Sequence, residues 1–214
     1  MGIGLKRCSL ESSLMCRSVY DLSFLMKRAP AILLNGTSSS GKTTLATALQ
    51  RAMPEPVLYV SNDNFIFMTP AHVLKDDSAR PKVLMPLLSA FHRSLPLIAG
   101  CGFPMIIDHV IERWDWMDEI AEALRGFDVY FVKVECPLEE LERRESARGD
   151  RQVGLAKMQM EWVHRHGDYD AEVNTFSQTL EANVETLKQL LCSGAKPQAL
   201  ERYRGKRAAQ NSRP

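Results

Sequence analysis

No stretch of this 214-residue chain approaches the roughly 18 consecutive apolar residues that a helix needs to cross a bilayer, so no membrane-spanning helix is expected. Cysteine is sparse and scattered: Cys8, Cys16, Cys101, Cys136 and Cys192 form no C-x-x-C pair. That spacing argues against a zinc site and against a disulfide framework, and it fits reduced thiols in a cytoplasmic protein. An excess of either charge is missing too. Lys and Arg number 27 against 26 Asp and Glu, a net charge of +1 that supplies no general field for nucleic acid, and no nucleic-acid partner is expected. There is no internal repeat. What remains is an ordinary globular balance, 45% apolar and 25% charged, in a length suited to one domain with a full core.

The most informative stretch is AILLNGTSSSGKTTLATAL, residues 31–49. A short apolar run at 31–34 reads as a buried strand, and Leu45, Ala48 and Leu49 begin a helical spacing after it. Between them Gly36, Thr37, Ser38, Ser39, Ser40, Gly41, Lys42 and Thr43 match G-x-x-x-x-G-K-[ST] at every fixed position, and Thr44 continues into the helix. Glycines at both ends let the backbone curl so that its N–H groups face phosphate oxygens, and the helix N-terminus adds partial positive charge. Lys42 is then placed to reach the β- and γ-phosphates, and the Thr43 hydroxyl to ligate Mg²⁺. A Ser/Gly-rich turn could match by chance, but strand, loop and helix in this order predict a nucleoside triphosphate site.

Further apolar runs at 57–60, 104–108 and 128–134 read as strands. Helical spacing recurs at 86–99 (interrupted by Pro96), 112–124, 138–148, 154–166 and 179–191. The alternation predicts an α/β fold of three layers, with a central parallel sheet and helices on both faces. Ligands of such sheets lie beyond the carboxyl ends of the strands, where the loop, Asp63 and Asp108 all fall. The domain is expected over residues 29–193. Residues 1–28, rich in Ser, Leu and basic residues with only Glu11 and Asp21 acidic, read as an extension outside the fold, with Met26 as the favoured start. Residues 194–214, basic and poor in large apolar side chains, read as a flexible tail.

Asp108 closes Met105-Ile106-Ile107 in the apolar-run-then-Asp form that holds Mg²⁺ beside a phosphate loop, helix capping being the alternative role. Asp63, after the second strand, is placed to take the proton of an acceptor hydroxyl; an Asx turn across Asn62-Asp63-Asn64 is the alternative. In the arginine-dense segment 143–151, Arg148 and Arg151 read as lid residues that neutralise charge on the transferring phosphoryl group, a solvated helix face being the alternative for each. Arg143 and Arg144 read as a solvated face paired with neighbouring glutamates. His164 and His166 point to different faces of a helix and read as core or surface histidines rather than metal ligands; Trp114 and Trp116 read as packing residues, with the wall of an acceptor pocket as the alternative.

Together GTSSSGKTT, Asn62-Asp63-Asn64, Ile107-Asp108-His109-Val110 and above all ARGDRQVGLAKMQMEWVHRHGDYDAEVNT (147–175) resemble the chloramphenicol phosphotransferase-like proteins, over about residues 31–191. The resemblance implies an ATP-dependent kinase with the three-layer P-loop kinase-type fold, transferring the γ-phosphate to a hydroxyl of a small molecule. It implies Asp63 as the catalytic aspartate, Lys42 and Thr43 as the loop lysine and hydroxyl, Arg148 and Arg151 as lid arginines, and Asp108 as the acidic residue after the third strand. The chain departs from the pattern at His109, where the antibiotic-modifying member carries a second acidic residue, and over residues 66–86, the acceptor-lining segment. Those departures leave the acceptor open and the kinase chemistry untouched.

The expected function is therefore phosphoryl transfer to an alcohol, with antibiotic O-phosphorylation as one form. A metabolic kinase of a nucleoside, nucleotide or shikimate-like acid is the alternative, since Lys75, Arg80, Lys82 and Arg93 could serve an anionic acceptor. A non-catalytic nucleotide-binding module is a third reading; a guanine-specific switch would carry an N-K-x-D motif, which is absent. The oligomeric state is not legible in the sequence.

Overall fold

The structure is a computed structural model that describes residues 29–148 and 154–211. Five strands, β1 (Ala31–Asn35), β2 (Leu58–Ser61), β3 (Met105–His109), β4 (Val129–Glu135) and β5 (Ala171–Asn174), form one parallel sheet in the order β2-β3-β1-β4-β5. The helices in chain order are α1 (Lys42–Ala52), α2 (Asn62–Ile66), α3 (Ala71–Leu74), α4 (Arg80–Ala99), α5 (Trp114–Ala123), α6 (Leu138–Arg148), α7 (Leu155–Met160), α8 (Leu180–Cys192) and α9 (Ala199–Asn211).

Every residue of β1 is buried, as a central strand covered on both faces requires. Its two-residue period feeds two cores. Leu33 packs with Ile107, Phe131, Phe91 of α4 and Ile120 of α5 on one face. Leu34 packs with Ile106, Val132, Leu45 of α1 and Leu187 of α8 on the other. This is the three-layer α/β arrangement expected, and it aims the ends of β1, β2 and β3 at one edge of the sheet. Among the described residues no helix is long and apolar enough to cross a membrane.

Three elements differ from the sequence reading. β5 carries no long apolar run; only Val173 is buried, and the strand exists because it pairs with β4 at the sheet edge. The helix expected over 154–166 stops at Met160 and continues as turns. α4 runs from Arg80 through both Pro86 and Pro96, because Leu88, Phe91, Leu95 and Ala99 form one buried stripe that tertiary packing holds across the missing N–H groups.

The expected flexible tail over 194–214 is also corrected. It contains α9, whose Ala199, Leu200 and Tyr203 are buried in the same core as Leu33. Its basic character is absorbed by acidic partners: Tyr203 OH donates to Asp118 at 2.7 Å and Arg207 Nε to the same carboxylate at 2.9 Å. Composition alone hides three well-spaced apolar residues among arginines. The extension assigned to residues 1–28 lies outside the described residues.

Candidate active site

The turn from β1 to α1 uses residues that few other loops require. A Cβ on Gly36 would stand 2.6 Å from the Val134 carbonyl oxygen, and Gly41 has φ +90°, so both positions need glycine. Ser39 adopts φ 61° without being glycine, and its buried hydroxyl has no hydrogen-bond partner among the described residues. A strained residue presenting an unpaired polar atom is the kind of feature found where a loop is shaped for a ligand. Lys42 is nearly buried and turns its ammonium onto the loop itself, 2.9 Å from Gly36 O and 2.8 Å from Thr37 O, with Asp108 Oδ1 at 3.8 Å.

Asp108 ends β3 beside the start of α1. The Thr43 hydroxyl donates to Asp108 Oδ2 at 3.0 Å, and Tyr59 OH donates to the same oxygen at 2.9 Å. Burial and the Asp108 charge push the Tyr59 phenol up to about 12, so it stays a donor at neutral pH. Among the described residues there is no group of three His, Cys, Asp or Glu side chains suited to a metal ion. One carboxylate and one hydroxyl are the hard-oxygen set suited to Mg²⁺ when phosphates and water complete the shell, so Thr43 and Asp108 fit that role.

Ser61, the last residue of β2, lies opposite Asp108 in the parallel register. Ser61 caps α2, its hydroxyl accepting the N–H of Asp63 at 3.2 Å, so Asp63 stands in the first turn of a short helix rather than in an isolated Asx turn. One cavity of about 420 Å³ is lined by Ser38, Ser39, Gly41, Lys42, Thr43, Thr44, Asp63 and Asp108. Gly36, Thr37 and Ser40 are not in that lining and build the loop from behind. Arg148 is the last residue of α6; its side chain, like Arg151, lies outside the described residues.

The same cavity takes in residues to which the sequence assigns no site role. Arg144, read above as part of a solvated face, is folded inward: its Nη1 is 3.4 Å from Ser39 O and 3.2 Å from Thr175 Oγ1, and its Nη2 donates to Thr175 O at 3.0 Å. Thr175 in turn donates to Ser40 O at 2.7 Å. Arg143 does lie on an exposed face and pairs with Glu140. For Tyr59 the legible signal is alternation, which puts it on the same face of β2 as Ser61.

The distinctive motif after Gly154 supplies struts. Tyr169 OH lies 2.8 Å from His164 Nδ1 and 3.0 Å from Asn35 Nδ2 at the end of β1. Asn35 also donates to Val163 O at 2.7 Å and accepts the Ile111 N–H at 2.9 Å, locking the end of the central strand. Burial drives the His164 pKa down to about 4, with Lys133 adding to it. His109 points away from the cavity into the helical layer, its Nε2 2.8 Å from His92 Nε2, and burial lowers the pKa of both rings.

A profile of the family described as chloramphenicol phosphotransferase-like protein matches residues 29–191. A curated protein of Mycobacterium tuberculosis (strain ATCC 25618 / H37Rv), provisionally named an O-phosphotransferase, is 27% identical over 201 residues, covering 84% of this chain and 89% of its own. Among solved structures, M. tuberculosis APS kinase CysC in complex with AMPPNP and APS superposes with a TM-score of 0.59 at 19% identity, over 77% of this chain and 98% of that one. Shikimate kinase from Acinetobacter baumannii in complex with shikimate gives 0.57 at 14% identity, over 78% and 95%. At such identities the likeness speaks for the fold, that of the P-loop kinases.

Proposed function

This chain belongs to the chloramphenicol phosphotransferase-like family, and from that premise we propose that it is an ATP-dependent phosphotransferase moving the γ-phosphate onto a hydroxyl of an uncharged small molecule. One observation carries the reading: Asp63 opens onto the same cavity as Lys42, Thr43 and Asp108, so a candidate base and a phosphate grip share one space.

Mg·ATP would supply the activated phosphoryl group and a cation that offsets its charge. Loop N–H groups and the start of α1 would hold the phosphates. Lys42 would exchange the Gly36 and Thr37 carbonyls for phosphoryl oxygens. Thr43 and Asp108, already hydrogen-bonded, would hold the metal, with Tyr59 steering the carboxylate. Asp63 would accept the proton of the acceptor hydroxyl as its oxygen attacks. Arg148 and Arg151 are assigned by the resemblance to the charge on the transferring group.

An uncharged acceptor is favoured over an anionic one because Lys75, Arg80, Lys82 and Arg93 are exposed and none lines the cavity, whose described cations are Lys42, Arg143 and Arg144. The test is a labelled-ATP assay against chloramphenicol, other neutral alcohols and anionic alcohols. Transfer to a neutral alcohol, lost in Lys42→Ala, is expected. Transfer confined to anionic alcohols would favour a metabolic kinase, and nucleotide binding without transfer across the panel would leave a binding module.

A further inference from the structure

Gln159 takes no part in the chemistry above, yet it is a polar side chain only 8% exposed beside the phosphate loop. Its Oε1 accepts the backbone N–H of Ser38 at 2.6 Å, across 121 residues of sequence, and its Nε2 donates to Glu112 Oε1 at 2.6 Å. The sense of the amide follows from its partners. A backbone N–H can only donate, so it needs the amide oxygen, and the amide nitrogen is left to the carboxylate. Glu112 thereby fixes which way the amide faces. Burial raises the Glu112 pKa, and the Gln159 bond opposes that shift.

The helix that carries Gln159 is itself pinned. Glu145 of α6, fully buried, accepts the N–H of Gly154 at 2.9 Å and of Ala156 at 2.8 Å at the start of α7. The amide oxygen of Gln159 is thus set by α6, α7 and the segment after β3 before it touches the loop. The residue it grips stands next to Ser39, the one with φ 61° and the unpaired hydroxyl. A left-handed serine persists only where its surroundings over-determine it.

We propose that Gln159, oriented by Glu112, is a positioning residue that holds the Ser38 amide and so keeps Ser39 and the phosphate loop in their nucleotide-ready curvature. This deepens the phosphotransferase reading and rests on it for the identity of the ligand. The test compares Gln159→Leu, Gln159→Glu and the reciprocal swap Gln159→Glu with Glu112→Gln. The readouts are Ser38 amide exchange in the nucleotide-free protein, Mg·AMPPNP affinity and Tm. Losing both bonds, or opposing two carboxylates at this contact, should speed Ser38 exchange and weaken AMPPNP by about tenfold each. In the swap the new carboxylate still accepts from Ser38 while the new amide at 112 donates to it, so both readouts should return to within about threefold of wild type. Wild-type exchange in Gln159→Leu overturns the proposal. So does a swap that matches the wild-type Tm yet stays as impaired as Gln159→Glu. A wild-type protein that binds no AMPPNP would defeat the nucleotide reading instead, and the exchange measurement still decides the positioning role.

Discussion

At the scale of single residues, Asp63 and Lys42 differ in what their removal should do. The structural bond that Asp63 makes to Ser61 runs through its backbone N–H, so Asp63→Asn keeps the first turn of α2. It removes the acceptor for the hydroxyl proton. We expect kcat to fall by on the order of 10²–10⁴, with Mg·ATP affinity nearly unchanged because Lys42, Thr43 and Asp108 are intact. Single-turnover kinetics together with AMPPNP titration would check this, and near-wild-type kcat would remove Asp63 as the base. Lys42 has a second task, bracing the loop through the Gly36 and Thr37 carbonyls. Lys42→Ala should therefore abolish transfer, a loss of roughly 10³ or more, and also cost about 1 kcal/mol of stability. Calorimetry should register that as a fall of a few degrees in Tm; turnover within about tenfold of wild type would mean the loop does not serve phosphoryl transfer.

At the scale of elements, Asp170 is the joint between β4 and α9. Its Oδ1 accepts the N–H of Gln198 at 2.7 Å and of Ala199 at 2.9 Å, and its Oδ2 accepts that of Phe131 at 2.9 Å. Asp170→Ala leaves three backbone donors without their acceptor. The expected cost is about 3 kcal/mol, or roughly 6–12 °C in Tm for a chain of this size, with AMPPNP affinity unchanged because the loop is untouched. A Tm within about 2 °C of wild type would show that α9 docks by its apolar residues alone. The same joint explains why the sequence misleads here: one carboxylate in a tyrosine-flanked motif reads as part of a functional block, whereas it serves a helix some thirty residues further on.

At the scale of the whole molecule, four imidazoles are held in the interior. Burial lowers the pKa of His92, His109, His164 and His166, taking His164 to about 4. Unfolded, each would titrate near 6.5. Between about pH 6.5 and 4 the unfolded chain therefore binds more protons than the folded one, and stability falls as pH drops through that window. Glu112 acts in the opposite sense: its raised pKa lets the folded state hold a proton that the unfolded state has lost, so acidification returns part of the loss. Tm should decline steadily from pH 7 to 4, and His164→Gln should flatten part of that slope. A Tm constant from pH 7 to 5 would contradict the neutral burial of these rings.

The phosphate loop was legible because its chemistry is local: glycine freedom, N–H direction and a helix start are all encoded within one short run of residues. The positions of Asp108 and Asp63 were legible for the same reason, the one closing an apolar run that reads as a strand and the other following such a run across a short polar turn. Even the two-sided burial of β1 follows from its unbroken apolar content. The strand order is another matter, since bringing Ser61 opposite Asp108 depends on which edges pair across the sheet. Arg144 shows the limit most clearly. Its spacing from Glu140 is that of a surface ion pair, which it makes, but only the path of the chain after β5 places Thr175 where the guanidinium also reaches the loop. Gln159 meets Ser38 across most of the domain, and α9 turns from a basic tail into a core helix because α5 presents Asp118 beside an apolar hollow. Local sequence encodes periodicity, caps and turns; which surfaces then meet is decided by the packing of the whole sheet, and for that no single stretch carries a signal.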